Sequence, residues 1–224
     1  MRKCLVFTIL ILFATKGITA DFNCVFKPGK WNKSDWILVK SSRWDYFGDW
    51  IQKKDHIQNC VPAGVSAAEL QGKRASETYT CMLWKKSLNS DKTITVHSRM
   101  SFDNHMAPLI VFSGIYDKDK KHRPELREHW EVVLYDKGLN IWHHEYKEGK
   151  PCWYLAASLK ADFQPKVIYN LQVNMRKIND KMRMEVSCGD EKLTYTELHF
   201  PKQFQTGITG CEGINCFYDF GVKY

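Results

Sequence analysis

The sequence lacks any long apolar run beyond its first fourteen residues, so we expect no membrane-spanning helix in the rest of the chain. Residues 4–14 are apolar and follow Arg2 and Lys3, but they are fewer than the roughly 20 that a spanning helix needs. A short segment ending in the small residue Ala20 comes next. This pattern predicts a signal peptide over residues 1–20. We therefore expect a secreted or periplasmic protein with no stable membrane insertion after signal cleavage.

Clusters of basic residues are also lacking, which argues against a nucleic-acid partner. The signal peptide carries three positive charges, so its removal from a chain of net charge +8 leaves +5. The remaining Lys and Arg side chains are scattered, which is typical of a solvated basic surface. Weak attraction to an acidic polysaccharide is the alternative reading.

No Cys-x-x-Cys pair occurs, so the spacing of a structural zinc site is missing. Export favours disulfides, and the odd number of remaining cysteines leaves at least one thiol over. We expect one or more disulfides, no metal and no cofactor. The cysteines beyond the signal peptide are Cys24, Cys60, Cys81, Cys152, Cys188, Cys211 and Cys216.

Helical periodicity is scarce, and neither an internal repeat nor a linker divides residues 21–224. Only residues 66–71 favour a short helix, with Ser66 as its N-cap and Glu69 three residues on. Elsewhere apolar and polar residues alternate with the period of a β-strand, and residues 109–112 form a short run expected of a strand buried on both faces. Residues 179–180 predict a tight hairpin turn. We predict one all-β domain, an antiparallel two-sheet β-sandwich.

Two stretches carry a family resemblance: residues 128–150 (EHWEVVLYDKGLNIWHHEYKEGK) and residues 207–222 (GITGCEGINCFYDFGV). With the hairpin between them, they resemble the second half of concanavalin A-like (laminin-G-like) jelly-roll domains, found in secreted bacterial proteins associated with polysaccharide use. The resemblance covers roughly residues 90–224. It implies a jelly-roll sandwich and an oligo- or polysaccharide partner, and it supplies no catalytic residue set.

Catalysis on this fold would need paired acids or an acid–base set. Glycosidases need two carboxylates on one face, and the period of two places Glu128 and Glu131 on opposite faces of a strand. Residues 123–127 (RPELR) match the Arg-x-Glu-x-Arg strand of jelly-roll alginate lyases, but Pro124 interrupts the strand ladder and the companion motifs are missing. His97 and Arg99 share one face of a predicted strand, where they could serve as a base and an anion clamp. The catalytic candidates are Glu125, Glu128, Glu131, His97 and Arg99, and solvated charges are the competing interpretation.

Sugar recognition needs flat rings for stacking and polar groups for directional bonds. The hairpin of residues 127–146 concentrates both, and an ordinary solvated edge hairpin is the alternative. Four more aromatic residues, Trp44, Tyr46, Trp50 and Trp153, lie in loop-like sequence beside charges. We predict a secreted carbohydrate-binding domain. The alternatives are a polysaccharide-active hydrolase or lyase, and a structural adhesion module without a ligand. The predicted ligand-binding residues are Arg127, Tyr135, Trp142, His143, His144 and Glu145.

Overall fold

The computed structural model describes residues 21–43, 45, 47–60, 80–103, 108–211 and 213–224. The predicted signal peptide, the predicted helix at residues 66–71, Trp44 and Tyr46 lie outside the described residues. Within them, no helix has the length and apolar character needed to cross a membrane.

Almost all regular structure is extended. One short 3-10 helix, Lys33–Asp35, is capped by the Asn32 side chain, which accepts a hydrogen bond from the Ser34 amide. The strands are β1 Asp21–Val25, β2 Trp36–Val39, β3 Trp50–Gln52, β4 Ile57–Asn59, β5 Thr80–Trp84, β6 Leu88–Asn89, β7 Ile94–Phe102, β8 Pro108–Lys118, β9 Pro124–Tyr135, β10 Gly138–Lys147, β11 Lys150–Lys160, β12 Tyr169–Ile178, β13 Lys181–Cys188, β14 Glu191–Glu197, β15 Gln203–Gly210, β16 Asn215–Phe217 and β17 Asp219–Lys223.

The described strands form two antiparallel sheets. Sheet A has the order β14-β13-β12-β7-β16-β4-β3, and β17 joins it by pairing with both β7 and β1. Sheet B has the order β11-β10-β9-β8-β15-β5-β2, with β6 paired to β15. Strands that are consecutive in the chain pair as β12–β14 and β3–β4 in sheet A and as β8–β11 in sheet B. The other neighbours in each sheet are distant in the chain. The predicted antiparallel two-sheet jelly-roll sandwich is confirmed.

The core lies between the sheets and follows the predicted alternation. Met182, Met184 and Val186 of sheet A and Trp130 and Val132 of sheet B are buried in it. Leu109, Ile110, Val111 and Phe112 are all buried, because Ile110 and Phe112 enter this core while Leu109 and Val111 join a smaller apolar cluster on the opposite, outer face of sheet B. The prediction of a strand buried on both faces is confirmed.

The predicted hairpin at residues 179–180 is also present. Ile178 pairs with Lys181 across a two-residue loop, and Asn179 and Asp180 have φ angles of 48° and 62°. Two successive residues of positive φ make the turn that matches the twist of paired strands, and Asn and Asp tolerate that conformation better than most residues.

The predicted disulfides are not confirmed. Cys24, Cys81, Cys152, Cys188 and Cys216 carry free thiols. Cys24, Cys81 and Cys188 are buried, and burial raises the pKa of each thiol to about 12. These three thiols therefore stay protonated at neutral pH and behave as small apolar side chains.

Candidate functional site

The β9–β10 hairpin sets the geometry of the site. Its two-residue loop, Asp136 and Lys137, places Tyr135 opposite Gly138. Gly138 has a φ of +143°, and a Cβ at this position would lie 1.9 Å from the carbonyl oxygen of Leu159 in β11. Only glycine fits there, so the loop length and the close approach of β11 together fix the register of β9, β10 and β11.

That register assembles a buried polar cluster, which we call the outer-face triad: His129, Glu131 and His144. His129 lies opposite His144, and Glu131 lies beside them on β9. The Nε2 atom of His129 is 3.2 Å from Oε1 of Glu131, and Nε2 of His144 is 3.1 Å from Oε2. The three residues are 1%, 6% and 4% exposed. One carboxylate therefore links two imidazoles on the outer face of sheet B.

The protonation states of the triad differ. Burial is the main cause that lowers the pKa of His129 to about 4, and the neighbouring His144 lowers it further against the opposing effect of Glu131. Burial by itself would raise the pKa of Glu131, but the two imidazoles outweigh it and hold that pKa well below its usual range. At neutral pH, His129 is therefore neutral and Glu131 is a carboxylate.

A row of nearly parallel rings runs from the triad to the edge of sheet B. The rings of His129 and His144 stack at 4.4 Å, and the next ring is that of Trp153 on β11, at 6.4 Å from His144. Trp153 is 45% exposed, and the Arg43 guanidinium lies 4.0 Å from its ring centroid.

Tyr146 makes a second aromatic–cation pair on this face. Its exposed ring lies 4.1 Å from the guanidinium of Arg127. We call Tyr146, Trp153 and the two arginines, Arg43 and Arg127, the aromatic–arginine surface. It offers solvent-accessible rings beside hydrogen-bond donors, a combination that suits a polar ligand with apolar faces.

His143 faces the opposite way, into the sandwich, as the adjacency of the two histidines predicts. Its ring stacks on Trp130 at 4.2 Å, and its Nδ1 lies 2.7 Å from the Tyr154 hydroxyl. Its Nε2 lies 3.4 Å from Glu128, and its Nδ1 lies 3.7 Å from Glu197. His143 is thus held between two carboxylates near the rim of the core.

Glu197 lies beside His143 and accepts the hydrogen bonds of several neighbouring groups. It accepts hydrogen bonds from the Trp130 indole at 3.0 Å, the Tyr195 hydroxyl at 2.7 Å and the His199 amide at 3.0 Å. Burial acts to raise the pKa of Glu197, but these three hydrogen bonds and His143 outweigh it, so that the pKa is lowered. The carboxylate organises the packing of Trp130 and Tyr195.

Glu125 is held in a buried ion pair. Its Oε2 lies 2.5 Å from the Nζ of Lys40, and its Oε1 lies 2.7 Å from Nη1 of Arg127. Lys40 also donates to the carbonyl oxygen of Ser41 at 2.8 Å. With both oxygens paired, Glu125 positions Arg127 beside Tyr146.

The structure separates the remaining candidates. His97 and Arg99 share a face, as predicted, but that face is the outer surface of sheet A, where Arg99 pairs with Asp219 at 2.5 Å. Tyr135 lies at the turn, about 13 Å beyond Glu131 at roughly 3.3 Å per residue. Glu145 pairs with Lys147 at 2.5 Å. Trp142 is half-buried against the apolar cluster on the outer face of sheet B.

The sequence predicts no role for His129, Lys40 and Glu197, and it marks Trp153 only as one of four aromatic residues in loop-like sequence. Trp153 was expected in loop-like sequence but lies in β11, and Trp50, expected likewise, is buried in β3. His129 could have been found from the hairpin, because a two-residue loop that pairs Tyr135 with Gly138 places residue 129 opposite residue 144. Lys40 lies 85 residues from Glu125, and Glu197 lies 67 residues from Trp130, so no local sequence pattern indicates either contact.

Comparison with known proteins identifies the fold class. No protein-family model matches the sequence, and no curated protein matches it. Solved structures do match. The carbohydrate-binding module CBM66 from Bacillus subtilis has a TM-score of 0.53 and 13% identity over 82% of this chain and 91% of that one. A Lotus tetragonolobus seed lectin has a TM-score of 0.57 and 7% identity over 91% of this chain and 97% of that one, and the Emp47p carbohydrate recognition domain has a TM-score of 0.55 and 11% identity over 89% and 92% of the two chains. The chain therefore has a concanavalin A-like jelly-roll fold, as the sequence resemblance predicts.

Proposed function

We propose that this protein is a secreted carbohydrate-binding domain whose site is the aromatic–arginine surface of sheet B. The observation that carries the proposal is the pair of exposed rings, Trp153 and Tyr146, each with a guanidinium about 4 Å from its centroid. Sugar rings stack on aromatic faces through their C–H groups, while guanidinium groups donate hydrogen bonds to hydroxyl or carboxylate oxygens.

The names of the structural neighbours point in the same direction. A carbohydrate-binding module, a seed lectin and a carbohydrate recognition domain share the fold. One fold hosts many functions, so the argument for sugar binding depends on the side chains of this chain. Those side chains favour an oligo- or polysaccharide laid across β10 and β11.

Binding without turnover is the favoured mode. The carboxylates considered for catalysis are engaged elsewhere: Glu125 holds Lys40 and Arg127, and Glu131 holds two histidines. Glu128 lies on the opposite face of β9 from both, beside His143. We therefore infer a binding domain rather than a glycosidase or lyase.

The test is an oligosaccharide array followed by titration of the best ligand. Trp153→Ala should weaken binding at least tenfold, a loss of about 1.4 kcal/mol or more. The control is Ile168→Ala, which removes an apolar side chain of similar exposure near sheet A and should leave the affinity unchanged. Equal affinity of the parent and Trp153→Ala would place the site elsewhere, and release of shortened sugars would indicate an enzyme.

Export is a separate part of the proposal. Residues 1–20 have the charge and apolar pattern of a signal peptide, and we propose that the domain starts at Asp21. Amino-terminal sequencing of the exported protein should begin at Asp21; retention of residues 1–20 would contradict cleavage at this site.

A further inference from the structure

We propose that the outer-face triad of His129, Glu131 and His144 is a binding site for a divalent transition-metal ion of the zinc type. The inference goes beyond carbohydrate binding and does not depend on it. It rests on the identity of the donor atoms, their separations and their burial.

The donor set is one that zinc prefers. Two imidazoles and one carboxylate are a common zinc ligand set, and three protein ligands leave a further coordination position open. Donor atoms from the three residues all lie within 4.8 Å of one another. Calcium and magnesium prefer oxygen donors, so two imidazoles select against them.

The separations also suit a small ion. Ligand atoms placed about 2.0–2.1 Å from a tetrahedral zinc lie roughly 3.3 Å apart. The Glu131 oxygens lie 3.2 Å and 3.1 Å from the Nε2 atoms of His129 and His144. The Glu131 carboxylate therefore already lies at ligand spacing from both imidazoles, and the rings must reorient to share one ion.

One buried ring nitrogen of the triad is not among the atoms that face Glu131. The Nδ1 atom of His129 is buried and has no hydrogen-bond partner in the described part of the chain.

Metal binding must change one feature of the triad. The His129 and His144 rings are nearly parallel, with an interplanar angle of 17°. A ring nitrogen binds a metal in the plane of its ring, so the two rings must rotate apart for their nitrogens to converge. Trp153, which is 45% exposed, is the next ring beyond His144.

A second set of donors lies on the other side of β10. Glu128, His143 and Glu145 also place donor atoms within 4.8 Å of one another. Its single imidazole makes it a poorer match for zinc. In addition, Glu145 pairs with Lys147, and His143 contacts Tyr154. The adjacent residues His143 and His144 therefore serve as a matched pair that distinguishes the two sites.

The experiment is calorimetric titration of the metal-stripped protein with zinc chloride. We expect one zinc ion per chain, and His144→Gln and His129→Gln should each weaken it at least tenfold. His143→Gln and the exposed-site control His122→Gln should retain parental affinity. Circular dichroism establishes that each variant folds. If His144→Gln does not fold, His129→Gln and Glu131→Gln supply the same comparison.

Two further measurements make the ligands explicit. The cobalt(II) form should show d–d bands without a thiolate-to-cobalt charge-transfer band, since the proposed ligands include no cysteine. Calcium chloride should give no saturable heat that His144→Gln removes. The proposal is overturned by a thiolate band, by loss of zinc binding in His143→Gln but not His144→Gln, or by no saturable zinc binding. None of these outcomes bears on the effect of Trp153→Ala on sugar affinity.

Discussion

Replacement of Glu125 by Gln tests the buried ion pair beneath the aromatic–arginine surface. The change removes the negative charge that faces Lys40 at 2.5 Å and Arg127 at 2.7 Å, and Lys40 is only 4% exposed. Removing one partner of a buried pair costs about 3–5 kcal/mol, because the remaining charge stays desolvated. With a urea slope of about 2 kcal/mol/M, the unfolding midpoint should fall by roughly 2 M.

The double replacement Lys40→Met with Glu125→Leu provides the internal control. It removes both buried charges, so it should recover most of the stability lost in Glu125→Gln. Arg127 limits the recovery only slightly, because it is partly exposed and keeps its contact with Tyr146. The assay is urea unfolding followed by circular dichroism. An unchanged midpoint in Glu125→Gln, or a double variant no more stable than Glu125→Gln, would refute the reasoning.

Two further predictions concern the hairpin and Glu197. Gly138→Ala should lower the free energy of unfolding by about 2 kcal/mol or more, because the added Cβ meets the Leu159 carbonyl oxygen. Gly149→Ala, where the space around the added Cβ is open, should lower that free energy by less. Equal losses of stability in urea unfolding would contradict the steric argument. The lowered pKa of Glu197 stabilises the fold above the ordinary glutamate range, and this contribution is lost as pH falls through the lowered value. Glu197→Gln should therefore be less stable than the parent at pH 7 and show a weaker loss of stability on acidification; parallel stability–pH curves would count against it.

Much of the fold follows from local sequence patterns. Alternation identifies strands such as β12 and β13, whose inward residues end in the core, and the turn at residues 179–180 fixes their pairing. The same reasoning places His143 and His144 on opposite faces. The faces of a strand follow from its period of two, and the pairing of a hairpin follows from the length of its loop; both are visible in the sequence.

The site is less accessible to such reasoning. The predicted ligand-binding set includes Trp142, whose ring is half-buried on apolar neighbours, while Trp153 on the next strand is more exposed. A register shift between β10 and β11 at residues 141 and 142 contributes to that outcome, and nothing local marks it. The pairing of Lys40 with Glu125 joins residues 85 apart in the chain, so it depends on the packing of the whole sandwich.

The order of the strands has a consequence for how the protein is made. The meander β8–β11 pairs each strand with its neighbour in the chain, so the triad and the Tyr146–Arg127 pair are built from contacts of short sequence separation, whereas Arg43 reaches Trp153 from a distant segment. By contrast, β1 pairs with β17, joining Asp21 to Lys223. Contacts of long separation form late, because they require closure of a large loop. During synthesis, the β8–β11 meander of sheet B can therefore form before β17 completes sheet A. Folding intermediates should then expose the inner face of sheet A to chaperones.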